Sequence, residues 1–212
     1  MREMTPDRIV ALLSPFLEGA ALSESQLAQI ATYAALLEKW NARMNLTAVR
    51  NTEEIITRHC GESLFAARRL FPEPETQATA IDIGSGAGFP GLPLKIWAPA
   101  LDLTLVESNQ KKATFLHEAV RTLSLAHVRV LAERAEQVSE RASLVTLRAV
   151  EHFEQILPVA FRLTAASGRV ALLIGDSQIP TAKSVLPAVR WENPSPLPLS
   201  KSRSLLVGHA PS

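Results

Sequence analysis

From residue 79 onward, short runs rich in β-formers alternate with stretches of helical character, and this alternation admits few folds. The runs are 79–83 (TAIDI), 101–107 (LDLTLVE), 127–131 (HVRVL), 143–147 (SLVTL), 169–174 (RVALLI) and 203–208 (RSLLVG). Helix-like segments such as 111–123 and 151–163 lie between them. Strands separated by helices join as right-handed βαβ units, so the expected fold class is α/β with a mostly parallel sheet. Gly168 is expected to end the helix before the fifth strand. The stretch 176–200 contains five prolines and reads as loop around one weak strand near 188–191.

The first 70 residues follow a different period. Ser23 with Gln26 forms a capping-box pattern, and Leu27, Ile30, Ala34, Leu37 and Met44 recur behind it at helical spacing. Asn51 repeats the start signal ahead of Ile55, Leu64 and Phe65. The segment 71–79, rich in proline and polar residues, marks the boundary. Two units are expected: a helical N-terminal extension over 1–75 and a sheet domain over 76–212.

Composition excludes several classes. At 47% hydrophobic and 20% charged residues, the 212-residue chain is an ordinary globular one. Lys and Arg total 22 against 21 acidic residues, so bulk charge announces no nucleic acid and leaves only a local basic face open. The single cysteine, Cys60, excludes an internal disulfide. It follows His59 directly, but consecutive helical residues point apart, which favours a packed thiol over a catalytic dyad. His59, His117, His127 and His152 are scattered without metal-ligand spacing. The opening stretch MREMTPDRIV is charged, unlike a secretory signal, and no run approaches the roughly 20 apolar residues of a membrane span. A cytoplasmic chain without membrane or metal partners, and with nothing demanding more than a monomer, is expected.

The chemistry concentrates in residues 82–91, DIGSGAGFPG, at the end of the first strand. In an open α/β sheet, ligands bind beyond the carboxyl ends of the strands, and glycines in the first turn let a ligand approach the backbone. Gly86 to Gly91 match G-x-G-x-x-G, and Glu107 follows Gly86 by 21 residues, the spacing of an acid that holds ribose hydroxyls. Two features argue against a dinucleotide. Asp82 precedes Gly84 by two residues, and a carboxylate at a strand end suits an amine-bearing ligand better than a pyrophosphate. Pro90 and Pro93 remove N–H groups that a helix start would offer to phosphate. S-adenosyl-L-methionine fits both facts, with an amine, a sulfonium and a ribose and no phosphate.

The same decapeptide resembles the cofactor motif of the glucose-inhibited division protein B (GidB) family of small-subunit ribosomal RNA methyltransferases. So do further segments in order: LLEKWNARMNLTAV (36–49), RHCGESL (58–64), VESNQKKATFLHE (106–118), RAEQV (134–138) and LRAV (147–150). The resemblance covers about residues 25 to 175. It implies a class I S-adenosylmethionine-dependent methyltransferase, Rossmann-like, with a seven-stranded sheet and helices on both faces. It implies N7-methylation of a guanine in 16S ribosomal RNA or the small subunit. Carried over residue by residue, Gly84 and Phe89 contact cofactor in the turn, Ala135 and Glu136 flank the adenine, and Arg148 closes the site. Glu107 stands where the family usually has Asp. Together with Asp82, Gly86 and Gly88 these are the expected cofactor residues. Arg148→Ala is expected to weaken cofactor binding or transfer with stability nearly unchanged.

Guanine N7 has a lone pair at neutral pH, so no general base is expected, in keeping with the lack of a Ser/His/Asp or paired-carboxylate constellation. Between Lys39 and Leu70, six basic residues face three acidic ones, a local surplus suited to RNA phosphates. Arg43, Arg58, His59, Lys111 and Arg203 are the candidate RNA contacts. Departures from the family pattern fall mainly on that side: Glu62 replaces the Asp of R-H-x-x-D-S, Ile174 replaces a common Lys, Ser202 and Ser204 replace a Glu and a His, and the Asp near Ser143 is absent. Two other readings remain: an NAD-binding oxidoreductase using the literal glycine pattern, and a non-catalytic methyltransferase-like RNA-binding protein.

Overall fold

Local capping starts the helices after Ser23 and Asn51 where the sequence predicts, and a cap at Thr5 starts the first helix. The computed structural model of the protein describes residues 4–211, so Met1–Glu3 of the charged opening stretch lie outside it. Thr5 Oγ1 accepts a hydrogen bond from Arg8 N at the head of α1 (Pro6–Leu17). Ser23 and Gln26 form the reciprocal capping box of α2 (Glu24–Met44). Asn51 Oδ1 accepts from the amides of Glu53 and Glu54 and opens α3 (Thr52–Glu54). The chain then widens into a π-helical segment, Ile55–Gly61, before α4 (Glu62–Leu70). That π turn has no signature in the sequence, and π turns recur at functional sites.

The sheet follows from the alternating pattern. Its strands are β1 (Thr79–Ile83), β2 (Asp102–Val106), β3 (Val128–Leu131), β4 (Ala142–Arg148), β5 (Thr164–Gly175), β6 (Arg190–Trp191), β7 (Ser195–Pro196) and β8 (Arg203–His209). The intervening helices are α5 (Gly91–Trp97), α6 (Gln110–Thr122), α7 (Phe153–Leu163) and α8 (Ile179–Val185). The strand order is β3-β2-β1-β4-β5-β8-β6, with β1 to β5 parallel and β8 antiparallel to β5. The two-residue β7 pairs with β8 and makes an eighth strand beside the expected seven.

Both faces of the sheet are buried, so its strands read as near-continuous apolar runs. On one face Leu103, Leu105, Leu144 and Leu173 pack with α5, α6 and the N-terminal helices, which contribute Leu13, Ile30, Tyr33, Leu37 and Leu64. On the other, Ile81, Ile83, Val145, Leu147 and Leu172 pack with Leu157 and Ala160 of α7 and Ala182 of α8. The N-terminal helices thus share one core with the sheet.

Two local expectations are corrected. Gly168 does not stop a helix: α7 ends at Leu163, and Thr164 enters β5 directly, its Oγ1 donating to Ala160 O at 2.8 Å. Gly168 lies beside a register shift against β4, where a Cβ would sit 2.8 Å from Ala165 O. The stretch 176–200 is not loop around one strand, because it contains α8 as well as β6 and β7. Pro180 stands in the first turn of α8, where proline promotes a helix instead of breaking it.

Gly61 lets α1 meet the π-helical segment, since a Cβ there would lie 2.5 Å from the Phe16 ring. Gly61→Ala is expected to destabilise the protein by about 1–3 kcal/mol through overpacking, read as a lower urea midpoint at unchanged slope.

Candidate active site

The glycine turn is built by backbone angles that other residues avoid. Gly84, Gly86 and Gly88 take φ of 64°, 57° and 93°. Gly91 is needed for space, because a Cβ there would fall 2.5 Å from Leu105 and 2.8 Å from Asp82 Oδ2. Ser85 N donates to Val106 O at 3.1 Å, and Ser85 O accepts from Gly88 N and Phe89 N. The turn is therefore preformed across the ends of β1 and β2.

Two carboxylates fix it from opposite sides. Glu107, just past β2, accepts from Gly86 N at 2.9 Å and from Asn109 N at 2.8 Å, one oxygen to each. Asn109 in turn caps α6 by accepting from the amides of Lys111 and Lys112. Asp82 is 0% exposed and points inward: Oδ1 accepts from Thr146 Oγ1 at 2.7 Å and Oδ2 from Gly91 N at 3.3 Å. Burial pushes its carboxyl up to about 6, against the pull of those hydrogen bonds. The Asp82 carboxylate therefore ties β1 to β4 and α5 and does not face the cleft.

Beyond the carboxyl ends of β1 to β4 lies a cleft of about 440 Å³. Gly84, Glu107, Ala135 and Glu136 line it, whereas Gly86 does not and is tied to it only through its bond to Glu107. The sequence reading missed Asn109, Lys112 and the loop Ala149–His152, which also line it, with Ser108, Glu133, Arg134 and Gln155. Asn109 was legible as an N-cap. The loop was not, since Ala149 and His152 adopt φ of 50° and 51°, a strain of about 1–3 kcal/mol each that residue type does not announce.

Gly88, Phe89 and Arg148 turn away from this cleft toward the N-terminal helices. Tyr33 Oη donates to Ala87 O. The Phe89 ring meets those of Tyr33 and His59 at 5.2 and 4.8 Å between centroids. Arg148 lies 5.7 Å over Phe89 and donates to Glu62 Oε2 at 2.8 Å, Arg58 O at 3.0 Å and His59 Nδ1 at 3.0 Å. The other oxygen of Glu62 accepts from Arg203. Burial raises the Glu62 carboxyl, and Arg148 and then Arg203 pull it back.

The family-like segment around Trp40 explains how His59 is held. Asn41 donates to Val49 O at 2.8 Å and accepts from Thr47 N at 2.9 Å, which shapes the loop after α2. Thr47 Oγ1 sits 2.7 Å from His59 Nε2. A guanidinium only donates, so Nδ1 accepts from Arg148, and the network assigns the ring proton to Nε2, donated to Thr47. Burial and then the Arg148 charge lower the imidazole to about 3. Cys60 is fully buried, its thiol pushed up to about 12, which removes it as a nucleophile at neutral pH.

The remaining candidates are dispersed. Arg43 and Lys111 are exposed on α2 and α6, away from each other in sequence and on different helices. Ile174 is buried in the apolar layer on the α7 face, so no cation replaces the family lysine there. Ser204 donates to Asp176 Oδ1 at 2.7 Å. Ser143 Oγ donates to Thr79 O at 2.9 Å and joins the starts of β1 and β4. Among the described residues no cluster of three His, Cys, Asp or Glu could hold a metal.

The position of Arg148 corrects the stability expectation. Arg148→Ala leaves Glu62 buried with one guanidinium instead of two. Breaking a buried pair costs about 3–5 kcal/mol, and the remaining Arg203 puts the loss at the lower end, measurable as a urea-midpoint shift. A pH dependence follows as well. His59 is lowered to about 3, so the stability it contributes is complete above its ordinary 6.5 and is lost as pH falls toward about 3. Asp82 acts in the opposite sense: its contribution is complete below 3.8 and lost as pH rises through about 6. The stability difference between wild type and His59→Asn is expected to shrink on going from pH 7 to pH 4, as read by urea denaturation.

Comparison with known proteins identifies the family and the fold. The family model GidB, described as rRNA small subunit methyltransferase G, matches residues 26–184. The chain is 41% identical over 202 residues to "Ribosomal RNA small subunit methyltransferase G" of Chloroflexus aggregans, covering 89% of this chain and 84% of that one. It is 38% identical over 172 residues to the protein of the same name from Xanthomonas campestris pv. campestris, covering 80% and 79%. In fold it is similar to the ribosomal protein L11 methylase of Lactobacillus delbrueckii subsp. bulgaricus, with TM-score 0.61 at 12% identity, covering 73% and 79%. It is likewise similar to M. jannaschii TYW2 in complex with AdoMet, with TM-score 0.55 at 13% identity, covering 70% and 74%. The chain belongs to the GidB family of rRNA small subunit methyltransferases G.

Proposed function

We propose that the protein transfers a methyl group from S-adenosylmethionine to N7 of a guanine in 16S ribosomal RNA, within the small subunit or a precursor of it. S-adenosylmethionine-dependent methylation of ribosomal RNA is the activity of the GidB family to which the chain belongs. The family match sets aside the oxidoreductase reading of the glycine pattern.

The observation that supports the site most directly is Glu107. It lines the cleft while each oxygen accepts a single N–H, from Gly86 or from Asn109. A carboxylate oxygen accepts more than one hydrogen bond, so both retain capacity for vicinal ribose hydroxyls. The cleft of about 440 Å³ falls within the usual size of a small-molecule site. Gly84 and Gly86 would face the ligand with backbone, and Ala135 and Glu136 would flank the adenine. Bound there, the cofactor supplies an electrophilic methyl on sulfonium.

Guanine N7 brings its own lone pair, so the chain needs no general base. Its task is to align the acceptor and keep water out. Phe89, clamped among Tyr33, His59 and Arg148, is a positioning residue that fixes the turn from behind. The helical extension over 1–75 carries Arg43, Arg58 and His59, and we place it toward the RNA with Lys111 and Arg203. His59 contributes as a neutral ring that orders Phe89, since its low pKa leaves it uncharged at physiological pH. A ribosomal substrate places the protein in the cytoplasm, and one copy suffices for this chemistry. No described helix is long and apolar enough to cross a membrane.

Labelled methyl from S-adenosylmethionine, offered with small subunits from a strain lacking the protein, is expected to appear in N7-methylguanosine after nucleoside digestion. Label in another nucleoside would overturn the N7 assignment. No label, with calorimetric cofactor binding intact, would turn the reading to a non-catalytic RNA-binding protein.

A further inference from the structure

A second cleft, of about 320 Å³, opens where the loop before β8 crosses α1 and the π-helical segment. Phe16, Arg58 and Glu62 form its helical wall, and Leu199, Lys201 and Arg203 its loop wall. None of these residues lines the cofactor cleft. The loop is shaped by its own backbone: Leu197 N donates to Arg203 O at 2.9 Å and Ser200 N to Leu197 O at 3.1 Å. Leu197 is buried and anchors it.

Two features of this loop are unfavourable in the isolated protein. Leu199 is 76% exposed, and its backbone holds φ at 59°, the left-handed region that leucine avoids. An exposed leucine alone needs no explanation, but one held outward at strained angles beside a charged cleft does. The charge is one-sided. Arg58, Lys201 and Arg203 line the cleft with Arg148 behind them. Against them stand Glu62, with both oxygens engaged by Arg148 and Arg203, and Glu54, 3.6 Å from Arg58. Cations thus outnumber acids four to two.

We propose that this cleft is a second RNA subsite, taking one phosphodiester of the substrate strand on Lys201, Arg58 and Arg203, with its adjoining nucleoside against Leu199. The proposal rests on the RNA-methyltransferase reading above. In an RNA strand a negative phosphodiester lies one ribose away from the apolar face of a base, and the cleft places three cations beside one outward leucine. Arg203 shares Glu62 with Arg148, which lies over Phe89 of the glycine turn. A strand held on Arg203 is therefore linked to Phe89 of the glycine turn through Glu62 and Arg148.

The test uses Lys201→Ala and Leu199→Ser, both at exposed loop positions outside the cofactor cleft. Binding to small subunits and to protein-free 16S RNA is measured across a salt series, with KM, kcat and calorimetric S-adenosylmethionine affinity alongside. Lys201→Ala is expected to weaken RNA binding about five-fold, raise KM for subunits, and lower the salt slope by about 1. Lys201→Arg restores both. Leu199→Ser is expected to weaken binding at unchanged salt slope. Cofactor affinity stays at wild type throughout. Wild-type affinity and slope in both variants, with methyl transfer intact, would overturn the subsite and leave the activity standing. An effect on subunits but none on protein-free RNA would overturn it in favour of a ribosomal protein contact. Absence of RNA binding and transfer in wild type would instead sink the underlying activity reading, and the subsite with it.

Discussion

The buried contact between Arg148 and Glu62 joins the N-terminal helices to the sheet beside the glycine turn. Arg148 ends β4 and Glu62 begins α4, and their side chains are 7% and 3% exposed. A buried ion pair contributes little net stability, because desolvation offsets most of the attraction. What it supplies here is register. Arg148 can satisfy its donors only if the π-helical segment presents Arg58 O, His59 Nδ1 and Glu62 together. The helical extension is thereby set against the sheet at one position, and Phe89 is trapped between them. Glu in place of the family's Asp still delivers a carboxylate between two guanidiniums.

The glycine turn shows how two acids with similar sequence credentials diverge in environment. Asp82 and Glu107 both stand near the carboxyl ends of strands, and both read as ligand-facing. Asp82 lies under the start of α5, where hydrogen bonds from Thr146 and Gly91 hold it inside. Glu107 lies one residue beyond β2, where the turn leaves one side open, and it lines the cleft. The turn is thus braced from within by one carboxylate and from the cleft side by the other.

Much of the fold was legible because its signals are local. The parallel strands came from apolar runs of about strand length, α2 and α3 from side-chain caps, and α6 from the helix-like segment 111–123. The glycine turn was legible because only glycine takes the φ values that Gly84, Gly86 and Gly88 require. The misreadings have physical causes too. Gly168 serves a close approach at a register shift, a packing demand from β4 that sequence spacing does not record. Pro180 begins a helix that the density of prolines in 176–200 concealed.

Sequence by itself determined the main strands, the strand-helix alternation and the motif at 82–91, since backbone preference and side-chain period act over a few residues. Tertiary structure alone decided which groups face the cleft. Asp82 became interior, Arg148 became a strut to the helical extension, and Ala149–His152 became a wall of the cleft. Arg58, Lys201 and Arg203 lie up to 145 residues apart and share one cleft because β8 returns antiparallel beside β5. Burial, charge and orientation depend on what the folded chain brings alongside, and no local stretch of residues contains that information.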